Sequence, residues 1–207
     1  MNFTDFNGLV GITLLTVAIA INLLRIERLP VYGRWLGSIA VAAIVAVPIF
    51  DFSAAVYMRG LVGDLSLTSL VLLSLSIGKS LTGMALCLRR QFTAVYVLAV
   101  TVGLFFYPMS LGWGAFDPYS LGYSSTLFLA CLLIVCGIAW LGDYWLISLC
   151  LAAAVGAYSV ECYASNNLWD YLIDPLLVVY GIILGIKYLF GKWFCKTSNK
   201  LSLDHIN

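Results

Sequence analysis

The stretch SNNLWDYLIDP, residues 165–175, is the most polar and aromatic segment between two long apolar runs of the chain. The runs cover residues 144–162 and 175–194. Each is close to the roughly 17–25 residues that an α-helix needs to cross a bilayer. A polar, aromatic segment between two such runs is typical of a connection at a membrane surface, and the rest of the chain can be ordered around it.

Composition defines the class of protein. The 207 residues are 62% hydrophobic and 10% charged, whereas a soluble domain has about 45–50% apolar and about 25% charged residues. Lipid must therefore cover much of the apolar surface. We predict an all-α, polytopic transmembrane helical bundle, with one domain over residues 1–194 and a short basic and polar cytoplasmic tail over residues 195–207.

The apolar runs number seven. Stretches of spanning length lie near residues 8–24, 35–50, 65–88, 92–108, 124–141, 144–162 and 175–194. The second is short, and Pro48 near its end could kink it. A bundle of six spans, with one run re-entrant, is the alternative.

The basic residues orient the bundle, because Lys and Arg are retained in cytoplasmic loops. With seven spans and the N-terminus outside, nine of the 11 basic residues lie inside: Arg25, Arg28, Arg34, Arg89, Arg90, Lys187, Lys192, Lys196 and Lys200. Most acids fall on the opposite side. We therefore predict a plasma-membrane protein, bacterial inner membrane in type, with the N-terminus outside and the C-terminus inside.

Four segments rich in Asp and Tyr share the predicted outer side: the N-terminal tail, residues 51–64, residues 107–123 and residues 161–175. They supply the candidate binding site, which comprises Asp51, Arg59, Asp64, Asp117, Glu161, Asp170 and Asp174. We expect the five acids other than Asp51 to converge at one pocket mouth, and we expect Arg59 to pair with at least one of them. Such a cluster could bind a cation or a sugar, or it could form a salt-bridged lid.

Part of this outer set has a structural interpretation. Asp before Pro is typical of a helix start, where the carboxylate accepts from free N–H groups. Asp174 is thus expected to cap the last span, and Asp117 a short turn before the fifth. Asn167 could cap a short interfacial helix, with Trp169 and Tyr171 at headgroup level.

Lys79 is the most unusual residue within an apolar run. If the third span reaches Leu88, Lys79 lies roughly 15 Å from Arg89, at about 1.5 Å of rise per residue. Charges at such depth usually face the bundle interior, and we expect Lys79 to do so beside Ser76 and Ser80. The alternative is a lysine whose stem stretches to the inner headgroups.

The remaining motifs favour no cofactor or metal. The single histidine, His205, lies in the tail, and the six cysteines include no Cys-x-x-Cys pair. Leu61-Val62-Gly63-Asp64 resembles part of the Gly-x-Gly-Asp motif of intramembrane aspartyl proteases and prepilin peptidases. Leu61 replaces the first glycine and no partner aspartate motif accompanies it, so the resemblance assigns no family.

Three functions remain. The first is a non-enzymatic partner or scaffold subunit of an envelope assembly or transport machinery, with an acidic and aromatic outer face. The second is a small solute or lipid carrier with Lys79 in the path, and the third is an intramembrane enzyme that uses the outer aspartates. The expected partners are the lipid bilayer and another membrane protein or a second copy, and no feature indicates nucleic acid.

Overall fold

The structure is a computed structural model that describes residues 3–49, 52–84, 87–123 and 125–204. Within these residues the architecture is all-α, as predicted, apart from one pair of two-residue strands. The α-helices are α1 (Phe3–Leu23), α2 (Val31–Ala46), α3 (Ala54–Val62), α4 (Leu67–Thr82), α5 (Arg89–Ser110), α6 (Thr126–Leu141), α7 (Trp145–Ser159), α8 (Trp169–Leu172) and α9 (Pro175–Asp204). Short 3-10 helices cover Ile26–Arg28 and Pro118–Gly122, and strands β1 (Pro48–Ile49) and β2 (Phe52–Ser53) pair antiparallel.

Seven of these helices coincide with the seven apolar runs. Three contain stretches long and apolar enough to cross a membrane: Thr4–Leu23, Arg89–Ser110 and Pro175–Lys192. The other four, α2, α4, α6 and α7, are apolar but only 15 or 16 residues long. The prediction of an all-α protein is confirmed, and three of its helices are long and apolar enough to cross a membrane. The seven crossings belong to the proposal made below.

Two helices end earlier than the apolar runs suggest. The second run was predicted to reach residue 50, but α2 stops at Ala46 and Pro48 lies beyond it in β1, so it kinks no helix. The third run was predicted to reach residue 88, but α4 stops at Thr82. Gly83 follows in the left-handed conformation (φ 73°), which glycine adopts at little cost, and its N–H bonds back to the carbonyl of Lys79.

Helix packing arranges the seven long helices around α4, α5 and α7. The first helix packs against α2, α3 and α4, while α7 lies between α4, α5 and α6, and α9 packs along α5. The largest buried cluster joins α4, α5, α7 and α9, with Leu146 and Leu72 among its members. Gly103 and Gly181 sit in the α5–α9 contact where an added Cβ would lie 2.6 Å from a valine methyl, so small residues set the closeness of these helices.

The two ends of the bundle differ in chemistry. At one end the N-terminus of α1, residues 59–66, residues 117–123 and residues 161–174 contact one another through side-chain hydrogen bonds. These are the segments that the sequence assigned to one side. At the opposite end Arg34 donates to the carbonyls of Leu29 (2.8 Å) and Ser80 (3.1 Å), so it satisfies a carbonyl in the last turn of α4.

Candidate functional site

Asn167 anchors the segment that we call the cap, defined as residues 161–174. Its side chain is fully buried. The amide nitrogen donates to the carbonyl of Tyr119 (2.9 Å), and the amide oxygen accepts from the backbone N–H of Trp169 (2.9 Å). Asn167 was expected to cap α8, but Leu168 is the N-cap, and Asn167 instead forms a turn one residue earlier. Its side chain also joins the cap to the 3-10 helix Pro118–Gly122. A Cβ on Gly122 would overlap the Asn167 amide oxygen, so this joint requires glycine.

Trp169 and Tyr171 face the protein interior rather than outward as the rings of an aromatic belt do. Trp169 stacks between Phe106 and Phe128, with ring centroids 4.4 and 4.6 Å away, and its Nε1 donates to the carbonyl of Pro118 (2.9 Å). Tyr171 is fully buried. The polar tips of both rings find backbone partners, which is how such residues become part of a core.

Tyr171 and Tyr163 tie the cap to the start of α4. The Tyr171 hydroxyl accepts from the N–H of Tyr163 (3.1 Å) and lies 3.1 Å from the Ser165 carbonyl. The Tyr163 hydroxyl donates to the carbonyl of Leu65 (2.7 Å). Burial raises the pKa of Tyr163, with further contributions from the charges of Asp64 and Asp174, so this phenol stays a donor at physiological pH.

Asp174 caps α9 and also binds the N-cap residue of α4. Its Oδ1 accepts from the N–H of Leu177 (2.8 Å) and begins α9, which confirms the predicted cap. Its Oδ2 accepts from the N–H (3.0 Å) and hydroxyl (2.7 Å) of Ser66 and from the hydroxyl of Ser69 (2.5 Å). Ser66 is itself the N-cap of α4. A buried carboxylate with four donors is electrostatically satisfied by hydrogen bonds alone.

Asp117 and Asp170 also accept hydrogen bonds from residues close to them in space. Asp117 begins the 3-10 helix by accepting from the N–H of Tyr119 (2.9 Å), as predicted. Asp170 accepts from the hydroxyls of Tyr119 (3.1 Å) and Ser165. Burial and the charge of Asp170 raise the pKa of Tyr119.

Arg59 pairs with two carboxylates. Its Nε and Nη2 donate to the two oxygens of Asp64 (2.6 and 3.0 Å), and its Nη1 donates to Asp5 (3.1 Å). The hydrogen bonds to Asp64 raise the pKa of the guanidinium, and Asp5 adds to the effect. The arrangement holds the start of α1 against the end of α3, and its two-oxygen geometry is the strong form of an Arg–carboxylate contact.

Glu161 lines a polar pocket of about 460 Å³ between the cap and residue 123. It is exposed and has a left-handed backbone (φ 51°). The other lining residues are Tyr123, Tyr158, Ser159, Ser165 and Asn166. None of the other predicted acids lines this pocket.

The predicted site therefore separates into distinct contacts. The acids at positions 64, 117, 170 and 174 each serve a different helix start or loop, and Glu161 stands alone at the pocket. Of these five acids only Glu161 lines the pocket, and the other four accept from N–H, O–H or guanidinium donors, so the described residues show no shared pocket mouth. Asp51 lies outside the described residues.

Lys79 is exposed, which corrects the expectation that it faces the interior. Because α4 ends at Thr82, Lys79 stands in the last helical turn, where a cation complements the helix dipole. Ser76 is exposed and Ser80 is half-buried. This position fits better the alternative, in which the lysine stem extends toward the inner headgroups.

Sequence reasoning missed Ser66, Tyr163 and Gln91. Ser66 directly precedes an apolar run, a pattern that indicates an N-cap. Gln91 is buried at the opposite end of the bundle, where it donates to the carbonyl of Asp143 (2.6 Å) and accepts from the N–H of Leu146 (3.4 Å). A glutamine beside two arginines carries no signal of that role.

The loop before the 3-10 helix exposes large apolar side chains beside the cap. Leu111 is 80% exposed and Trp113 is 85% exposed, and Phe116 and Tyr123 are more than half exposed. We call residues 111–116 the aromatic loop. Its base is fixed, because the adjoining 3-10 helix is bonded to Asn167 and Trp169.

Among the described residues no group of three or more His, Cys, Asp or Glu could hold a metal ion. No protein-family model matches the chain, and neither a curated protein nor a solved structure is significantly similar to it.

Proposed function

We propose that the chain is a multi-pass plasma-membrane protein that acts as a non-enzymatic partner or scaffold subunit, docking another membrane protein of the cell envelope through its aromatic loop. One observation carries the proposal: the aromatic loop exposes large apolar side chains, while hydrogen bonds to Asn167 and Trp169 hold the base of the loop in place. Exposed aromatic side chains on a fixed support are typical of interaction surfaces.

The topology that we propose has seven crossings, the N-terminus outside and the tail inside. Two independent features support it. The basic residues separate from the acids along the sequence, and the acidic segments meet at one end of the bundle while Arg34 lies at the other. The short helices α2, α4, α6 and α7 would then cross with flanking residues completing the span.

The role of the acids favours a structural over a catalytic function. Asp64 is paired with Arg59, and Asp174 is occupied by Ser66, Ser69 and α9. An intramembrane aspartyl enzyme requires two carboxylates that share one proton, and these two bind separate donors. The carrier hypothesis depended on an interior Lys79, and the exposure of this side chain removes its main support.

A photo-crosslinking amino acid at position 113 tests the proposal. Docking predicts a discrete protein adduct in intact cells, and the double change Leu111→Ala with Phe116→Ala should abolish it. Tyr32→Ala is the matched control, since Tyr32 is equally exposed, at 85%, but lies near the opposite end on α2. Adducts with lipid alone would instead identify Trp113 as an interfacial anchor and contradict the proposal.

A further inference from the structure

An apolar cavity of about 250 Å³ lies inside the bundle beneath the cap. Its walls come from α4, α5, α6, α7 and the cap, and they are formed almost entirely by aliphatic, aromatic and thiol side chains. For comparison, a dry engineered cavity of about 150 Å³ accommodates benzene. The cavity is thus larger than packing defects in ordinary cores.

The cavity is elongated along the helices. On α6 its lining runs from Phe128 to Val135, and on α5 from Val102 to Val95. Seven residues of helix correspond to roughly 10 Å. Trp169 and Leu172 close the end beneath the cap. A volume of about 250 Å³ spread over that length implies a narrow slot parallel to the helix axes.

The polar atoms in the wall already have partners. The Thr68 hydroxyl donates to the carbonyl of Leu172 (2.6 Å), and the Trp169 indole donates to the carbonyl of Pro118 (2.9 Å). A buried water needs two to four polar partners, and these two side chains have committed their donors elsewhere. Water is therefore a poor occupant, and an apolar group is favoured.

Two observations indicate that the slot opens sideways between α5 and α6. Both helices pack against α7, but within the described residues α5 and α6 form no extensive contact with each other. Cys131 and Val135, one turn apart on α6, line the slot and are exposed at its rim. The same helix carries Leu133, which is 73% exposed. In the membrane that we propose, the rim faces the hydrocarbon.

We infer that this slot binds one acyl chain of a bilayer phospholipid. The inference rests on the proposed membrane placement. The occupant must be apolar and slender, and it must be able to enter from the hydrocarbon side, which are the properties of an acyl chain. Because lipid tails are as apolar as the wall, binding comes from contacts that an empty slot would forfeit rather than from escape from water.

Brominated phospholipid provides the test, because bromine quenches indole fluorescence on contact. The protein carries Trp169 as its only tryptophan, the other five being replaced by phenylalanine, and is reconstituted with lipid brominated in mid-chain. We expect strong quenching of Trp169, although it is half-buried within the protein. Cys131→Phe at the rim should remove most of this quenching, whereas Leu133→Phe, which lies off the slot, should leave it unchanged.

A second reporter separates the slot from the membrane placement. A variant with Leu133→Trp as its only tryptophan must be quenched if α6 faces hydrocarbon. Quenching at position 133 without quenching at Trp169 would overturn the acyl-chain site and leave the membrane placement intact. Quenching of Trp169 that is identical in the Cys131→Phe and Leu133→Phe proteins would also overturn the site, and absence of quenching at both reporters would reject the membrane placement itself.

Discussion

The Oδ2 atom of Asp174 accepts a 2.7 Å hydrogen bond from the hydroxyl of Ser66, 108 residues earlier in the chain. Both residues are helix N-caps: Ser66 begins α4, and Asp174 precedes α9. One buried carboxylate thus sets the relative height of two long helices.

Replacing Asp174 by alanine should cost about 3 kcal/mol of unfolding free energy, because a helix cap is lost and buried donors are left without an acceptor. Unfolding in mixed micelles with increasing denaturing detergent measures it. Asp117→Ala is the matched control: this residue is an exposed cap of a 3-10 helix, and its loss should cost about 1 kcal/mol or less. Equal effects of the two changes would contradict the role of Asp174 in joining the starts of α4 and α9.

Gly122→Ala should loosen the cap. The new methyl group would overlap the Asn167 amide, whereas at Gly114, in the neighbouring aromatic loop, the nearest atom lies 3.9 Å away. Overpacking at such a site costs about 1–3 kcal/mol. Hydrogen exchange of residues 165–174 should accelerate in Gly122→Ala and remain unchanged in Gly114→Ala. Unchanged exchange in both would show that the Asn167 joint is not fixed as described.

Arg59→Met should release the start of α1 from α3. The guanidinium and its partners are 21–47% exposed, so the loss should be about 1 kcal/mol and should shrink as salt is raised. Gly8→Ala offers an independent route to the same result, since its methyl group would collide with Asp64 and Arg59. If neither change exposes the N-terminal segment to limited proteolysis, the ion pair does not hold α1.

Lys79→Met should be tolerated, with a change in stability of about 0.5 kcal/mol or less, as expected for an exposed substitution. The matched comparison is Leu72→Ala, a buried position on the same helix, where about 2–5 kcal/mol should be lost. Thermal unfolding in mild detergent compares them. A large loss of stability in Lys79→Met would contradict the exposed position and indicate that the lysine faces the interior of the bundle.

The sequence predicts the helices well because each apolar run is long and both Asp-Pro pairs begin a helix or turn. It predicts the helix ends less well. Gly83 stops α4 through a left-handed conformation, and nothing in the surrounding apolar residues distinguishes it from the other glycines. The displacement of that end by six residues moved Lys79 from an expected deep position to the last turn.

The candidate site was harder to predict, because carboxylates that are scattered in sequence look alike whether they share one pocket or cap separate helices. Asp174 caps the start of α9, as the Asp-Pro pair indicates. Its hydrogen bond to Ser66 joins residues 108 positions apart, and no local sequence pattern indicates such a contact. Trp169 and Tyr171 are similarly ambiguous. An aromatic ring beside polar residues is equally typical of a membrane interface and of a buried stack. For Trp169 only the stacking partners Phe106 and Phe128, which the structure identifies, distinguish the two.

The most direct test of the whole account is the side of the membrane on which the cap lies. After replacement of the native cysteines, single cysteines are placed at Asn166, which is exposed in the cap, and at Glu27, which is exposed in the loop between α1 and α2. An impermeant thiol reagent is then applied to intact cells. We expect labelling at position 166 without permeabilisation and labelling at position 27 only after it; the reverse pattern, or equal labelling at both positions, would contradict the proposed orientation and with it the outer docking surface.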